Sequence, residues 1–129
     1  MMQNKKSNYI KGRRTESIAC KFLKSLNWKI LERNVRIFSA EIDIIAKTPD
    51  HIIVFVEVKS NWDKYHGFPS LRVNFKKQTQ IWSAAHNWLM QKGLQNTYAR
   101  FDIIAILWKK GKFDLKHYEN AFIGPRSYF

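Results

Sequence analysis

Acidic residues are scarce in this 129-residue chain: ten Asp and Glu stand against 23 Lys and Arg, for a formal charge of +13. Cysteine is almost absent, and Cys20 alone excludes an internal disulfide and a multi-thiolate zinc site. No stretch approaches the roughly 20 consecutive apolar residues needed to cross a bilayer. Met1 to Arg14 is polar and basic with no apolar segment behind it, unlike a secretory signal. The expected compartment is therefore a reducing cytoplasm, with no membrane partner. Three Pro and five Gly form no linker, and there is no repeat or low-complexity tract. With 45% hydrophobic residues the chain can bury one core, the size of an ordinary domain. The expected organisation is a flexible basic arm over residues 1–11 and a single domain over residues 12–129.

The distribution of charge is more informative than its total. Residues 1–36 hold ten Lys and Arg against two acids, a net of +8, and residues 71–129 hold ten against three, a net of +7. Residues 37–70 hold three against five, a net of −2. A basic protein thus contains one acidic island. The basic parts attract polyanions, chiefly nucleic acid, through phosphate neutralisation and counterion release. Solvated lysines with no defined partner are the plainer account of the same numbers.

Ile18, Ala19, Phe22, Leu23 and Leu26 recur at helical spacing, with Asn27 at the exit, and predict a helix over residues 12–26. Strands are expected over residues 28–36 and 41–46, the second ending at the turn signal Thr48-Pro49-Asp50. The β-branched run over residues 52–59 reads as a central, buried strand. Residues 61–69 read as a loop. A second helix is expected over residues 74–91, with Ile81, Ala84, Ala85, Trp82 and Trp88 in the core and Gly93 as its stop. Strands over residues 101–108 and 113–118 complete the order α-β-β-β-α-β-β. That order implies an α/β fold, a mixed sheet of about five strands with flanking helices.

Chemistry concentrates at the end of the third strand. Glu57 and Lys59 lie two apart and project from one face. The preceding strand carries Glu41 and Asp43. A hairpin symmetric about Pro49 sets Asp43 opposite Phe55 and Glu41 opposite Glu57, placing Glu41, Asp43, Glu57 and Lys59 on one face. A one-residue slip would undo this. Clustered carboxylates repel unless a cation compensates them. Oxygen ligands at this charge density favour Mg²⁺ or Mn²⁺, and the four His show no zinc-ligand spacing. The plainer reading is an exposed Glu–Lys pair beside solvated acids.

These residues resemble a known pattern. Asp43, a β-hairpin and Glu57-Val58-Lys59 are similar to the D…(D/E)xK arrangement of the restriction-endonuclease-like superfamily. The closer likeness is to the YraN-like family of small bacterial proteins, related in fold to Holliday junction resolvases. It runs from Gly12 to Phe122 through Gly12-x-x-x-Glu16-x-x-Ala19, Arg33-Asn34-x-Arg36, Glu41-Ile42-Asp43-Ile44-Ile45-Ala46, Val54-Phe55-Val56-Glu57-Val58-Lys59, Lys77-Gln78, Arg100-Phe101-Asp102 and Glu119-Asn120-Ala121-Phe122. The resemblance implies a restriction-endonuclease-like fold. It implies Asp43 and Glu57 as metal ligands with the Val58 carbonyl as a third, and Lys59 as catalytic lysine. Glu16 matches a helix glutamate that approaches the metal site in resolvases, and Gln78 a polar residue bordering it. Glu16 is equally a first-turn acid favoured by the helix dipole, Gln78 reads more readily as a surface helix residue, and Asp102 reads as structural. The chain departs from the family at Thr15 and Ala40, where glycine is usual, and at Ser60-Asn61, where the family has Thr-Arg.

Lys64, Arg72, Lys76 and Lys77 flank this centre in sequence, and Lys11, Arg13 and Arg14 stand beside Glu16. Such cations suit a phosphate backbone. No base-reading motif is present. Trp62, Tyr65 and Phe68 could stack on a base, although packing accounts for at least two of them. The leading expectation is a divalent-metal-dependent endonuclease acting on branched or single-stranded DNA, structure-selective rather than sequence-specific. A nucleic-acid-binding protein that keeps the fold without cutting, or an adaptor docking through the basic arm, are the alternatives. Resolvases act as dimers, so a homodimer is compatible, but nothing in the sequence marks its interface.

Overall fold

The computed structural model describes residues 5–61 and 73–122, with side chains from Arg13 onward. Its elements are α1 (Lys5–Ser25), β1 (Lys29–Ile37), β2 (Ala40–Lys47), β3 (Ile53–Asn61), α2 (Phe75–Gln91), β4 (Ala99–Lys109) and β5 (Lys112–Tyr118). This is the expected α-β-β-β-α-β-β order. Helix α1 begins earlier than expected, at Lys5. No proline interrupts residues 5–14, the Lys and Arg there are good helix formers, and the one glycine, Gly12, costs only about 1 kcal/mol.

Both helices stop where the sequence signals it. Asn27 takes a left-handed φ of 65°, and the Trp28 and Asn27 N–H groups donate to the Leu23 and Lys24 carbonyls. Gly93, with φ 69°, closes α2 in the same way, Leu94 donating to Leu89 and Gly93 to Met90. Carbonyls otherwise orphaned at a helix end are satisfied by such caps. At the other end of α2, the Asn74 side chain accepts from the Lys77 N–H at 2.7 Å, an N-cap of the usual type.

The strands lie side by side in sequence order, antiparallel except for β3 and β4, which run parallel. Helix α2 supplies the crossover that a parallel pair requires. Two cores cover the two faces of the sheet. On one, Ile81, Trp82, Ala84, Ala85, Trp88 and Leu89 of α2 pack on Ile42, Ile45, Ile53, Phe55 and Phe101. On the other, Ala19, Cys20 and Leu23 of α1 pack with Ile44, Ala46, Val54, Val56, Ile104 and Ile106. Strand β4 is buried at every position from Phe101 to Trp108, as a strand covered on both faces must be. Among the described residues no helix is long and apolar enough to cross a membrane.

The β2–β3 register differs from the expected one by two residues. Ile44 pairs with Val56 and Ile45 with Phe55. The turn is centred on Asp50 rather than Pro49: Thr48 N–H donates to the Ile52 carbonyl at 2.9 Å, and His51 adopts φ 67°. A three-residue hairpin loop with a left-handed third residue accounts for the shift. Because side chains alternate with a period of two, a two-residue shift preserves faces where a one-residue slip would exchange them.

At the start of β4 the fully buried Asp102 ties the sheet together, in the structural role expected of it. Its carboxylate accepts from Arg100 Nε at 3.0 Å and the Asn120 N–H at 3.1 Å, and lies 2.8 Å from His117 Nε2. The Arg100 guanidinium also lies 5.4 Å over the Trp28 ring. Removing the carboxylate strands a part-buried guanidinium. Asp102→Ala should therefore lower unfolding free energy by about 3–5 kcal/mol, read from the urea midpoint, and a midpoint unchanged from wild type would contradict this role.

Candidate active site

Asp43 lies where β2 stops pairing with β3. The regular ladder ends at Ile44–Val56, and beyond it the Asp43 Oδ2 accepts the Val58 N–H at 2.7 Å. A side chain replaces a backbone partner. The alternation of β2 breaks at the same point: Ile42 and Ile45, three residues apart, both enter the α2 core, whereas Ile44 enters the α1 core. Across the β1–β2 pair, Arg33 matches Ile44 and Val35 matches Ile42, so the intervening Asn34, with φ 53°, sits level with Asp43. Irregularities of this kind re-aim side chains and are common beside active sites.

Glu41 lines the same cleft as Asp43 and Glu57. It is exposed on the β1–β2 hairpin, with Oε2 3.4 Å from the Arg36 guanidinium. Glu57 remains with Asp43. Its Oε1 accepts from Lys77 Nζ of α2 at 2.8 Å, while its Oε2 is buried without a hydrogen-bond partner among the described residues. Burial pushes the Asp43 carboxyl up to about 7; the Val58 N–H opposes this, and the charges of Glu16, Glu57 and Glu41 reinforce it. Glu16 of α1 is thus close enough for its charge to act on Asp43. Burial also lowers the Lys59 ammonium from its ordinary value, an effect opposed by Glu57 and reinforced by Lys77.

An open cleft of about 610 Å³ gives access to Asp43 and Glu57; Lys59 and Glu16 are not among its lining residues. One wall is Ser39, Ala40, Glu41 and Asp43; the other is Asn74, Lys76, Lys77, Gln80 and Ile81 of the α2 start, with Glu57 and Val58 also lining it. Lys76 and Lys77 therefore stand where the sequence placed them, beside the carboxylates. Gln78 does not line the cleft; its side-chain amide donates to the Val73 carbonyl at 2.7 Å. Gln80 lines it instead, and the helical spacing of Lys77, Gln80 and Ile81, continuing the stripe of Ala84, Ala85 and Trp88, carried that signal. Ser39 and Asn74 had no signal beyond turn and cap propensity.

Arg14 lies 5.1 Å over Trp108, whose indole N–H is shared between Thr15 at 3.3 Å and Ser60 at 3.1 Å. That contact sets α1 against the strand end carrying Lys59. Arg13 is exposed on the same helix. The backbone of Lys11 belongs to α1, but its side chain lies outside the described residues, as do Lys64, Arg72, Trp62, Tyr65 and Phe68.

The donor set can be tested for fit to a divalent ion. A buried carboxylate oxygen with no partner, beside a carboxyl whose ionisation burial opposes, is the arrangement a cation relieves. Among the described residues no group of three or more His, Cys, Asp or Glu is gathered to hold a metal. A third protein donor would have to be a backbone carbonyl, such as that of Val58.

The family model described as uncharacterised protein family UPF0102 matches residues 15–106. The chain belongs to this family. It is the YraN-like group that the motifs resemble. A UPF0102 protein of Geotalea daltonii is 45% identical over 121 residues, covering 93% of this chain and 94% of its own. One from Pelobacter propionicus is 45% identical over 113 residues, covering 86% and 81%. A solved structure described as that of Pyrococcus furiosus SfsA in complex with Ca²⁺ is similar over 87% of this chain and 63% of its own, at 15% identity and a TM-score of 0.42. That likeness is too remote to bear on the site.

The raised Asp43 carboxyl has a stability consequence. The folded protein retains this proton between the ordinary carboxylate range and about 7, so the contribution to stability falls as pH rises through that window. Above it the penalty is complete. Asp43→Asn keeps an acceptor for the Val58 N–H and removes the charge. In EDTA at pH 8 it should unfold later than wild type, by on the order of 1–3 kcal/mol, with the difference vanishing towards pH 4. A variant less stable than wild type at pH 8 would show that the carboxylate is not strained there.

Proposed function

We propose that this protein is a divalent-metal-dependent endonuclease that hydrolyses phosphodiester bonds in DNA, selecting structure rather than sequence. The observation that carries the reading is that Asp43 and Glu57, whose Oε2 has no hydrogen-bond partner among the described residues, line one open cleft of a chain whose charge is otherwise strongly positive. A protein that only bound phosphates would gain nothing from carboxylates facing them.

Asp43, Glu57 and the Val58 carbonyl would hold Mg²⁺ or Mn²⁺. When bound, such an ion polarises a phosphodiester and lowers the pKa of an attacking water. Lys59, on the same strand face as Glu57, would orient that water or stabilise charge developing on the phosphate. Lys76 and Lys77 line the cleft beside the carboxylates and would hold the backbone of the DNA. Glu16 adds negative charge near Asp43, strengthening the demand for a cation.

One observation favours a second reading, a nucleic-acid-binding protein that does not cut. Lys77 already neutralises one oxygen of Glu57 at 2.8 Å, so part of the carboxylate charge is compensated from within the chain.

The two readings separate in one assay. Labelled linear, single-stranded, flapped and four-way-junction DNA would be incubated with the protein in Mg²⁺, Mn²⁺ or EDTA. Cleavage should require the metal and fall about 100-fold or more in both Asp43→Asn and Lys59→Ala. Binding without cleavage on every substrate, unchanged by either substitution, would establish the second reading.

A further inference from the structure

Two large aromatic side chains stand in water, each beside cleft-lining residues in the sequence, and the proposed hydrolysis uses neither. Phe38, in the β1–β2 turn, is 70% exposed, and Phe75, the first residue of α2, is 77% exposed. Each adjoins in sequence the residues of a different wall: Phe38 precedes Ser39, Ala40 and Glu41, and Phe75 lies between Asn74 and Lys76. Neither ring packs in either core. Phe38 also adopts φ 55°, a left-handed conformation that a bulky side chain rarely takes and that turns usually assign to Gly or Asn.

An exposed phenyl ring is unfavourable in water unless something covers it. The occupant must tolerate a cationic neighbourhood, since Lys76 follows Phe75 and Lys77 lines the wall below. An unpaired nucleotide satisfies both conditions: its base offers a flat apolar face to the ring and its phosphate a charge to the lysine. A base inside a duplex has its faces already stacked and cannot do so. We propose that Phe38 and Phe75 form a stacking clamp that seats unpaired bases of single-stranded DNA on the two sides of the cleft. The clamp makes unpaired DNA, rather than intact duplex, the ligand of this site. It rests on the reading that DNA occupies the cleft, but not on its being cut there.

The experiment measures binding in EDTA, where no cleavage intervenes. Fluorescence anisotropy would compare a labelled oligothymidylate with a duplex of equal length, for wild type, Phe38→Leu, Phe75→Leu and the double variant. Each leucine variant should weaken single-strand binding roughly 5- to 100-fold and change duplex binding less than about twofold, since the phosphate contacts remain. Phe38→Tyr and Phe75→Tyr, which keep a stacking face, should restore single-strand binding. Both sites are exposed, so thermal unfolding midpoints should match wild type. Equal losses on both DNAs, no loss on either, or no binding of oligothymidylate by the wild type would overturn the clamp. The cleavage assay decides the nuclease reading separately. Metal-dependent cutting with an unchanged single-strand preference in the leucine variants would leave the nuclease standing without its clamp. Selective loss of single-strand binding in a protein that never cuts would do the reverse.

Discussion

One hydrogen bond organises the candidate site: the Asp43 carboxylate accepting the Val58 N–H where the β2–β3 ladder gives out. An unpaired backbone donor at that depth would be costly, and a side chain meets the need only if the strand bends to deliver it. The bend is visible in the broken alternation of β2 and in the left-handed Asn34 alongside. Holding the carboxylate there also buries it, brings it within the influence of Glu16, Glu57 and Glu41, and raises its affinity for a proton. Structure and chemistry at the site thus share one cause.

Around that centre the molecule separates rigid from exposed parts. The sheet is covered by α1 on one face and α2 on the other, and the buried Asp102 network joins the start of β4 to β5 and the chain beyond it. The cleft opens between the β1–β2 hairpin and the start of α2. Both are element ends, free to carry exposed side chains because the strands behind them are held by packing. Lys77 reaches from one wall to Glu57, so the basic and acidic parts of the sequence meet in the cleft.

Much of the fold was legible. Helical spacing over Ile18–Leu26 and Ile81–Leu89, the β-branched run ending in Glu57-Val58-Lys59, and the stops at Asn27 and Gly93 all mark local physics that tertiary structure respected. That Asp43 and Glu57 would come together was also legible, because both stand at the open end of the β2–β3 hairpin. Three particulars were not. The start of α1 depended on helix propensity in a basic stretch without apolar periodicity. Glu41 meets Arg36 across the hairpin at 3.4 Å, a partner set by the β1–β2 register. Gln78 turned to Val73 while Gln80 took the cleft, a choice made by helix phase relative to the sheet.

The sequence by itself determined which residues carry charge, where periodicity changes from helix to strand, and that three chemical groups cluster along a hairpin. These are properties of residue type and spacing, which act locally. Only the tertiary structure decided that Val58 would be held by Asp43, that Lys77 would neutralise one oxygen of Glu57, and that Phe38 and Phe75 would stand exposed. Those outcomes depend on where β2 leaves β3 and where α2 lands. Both are set by the packing of two cores on one sheet, which no local pattern encodes.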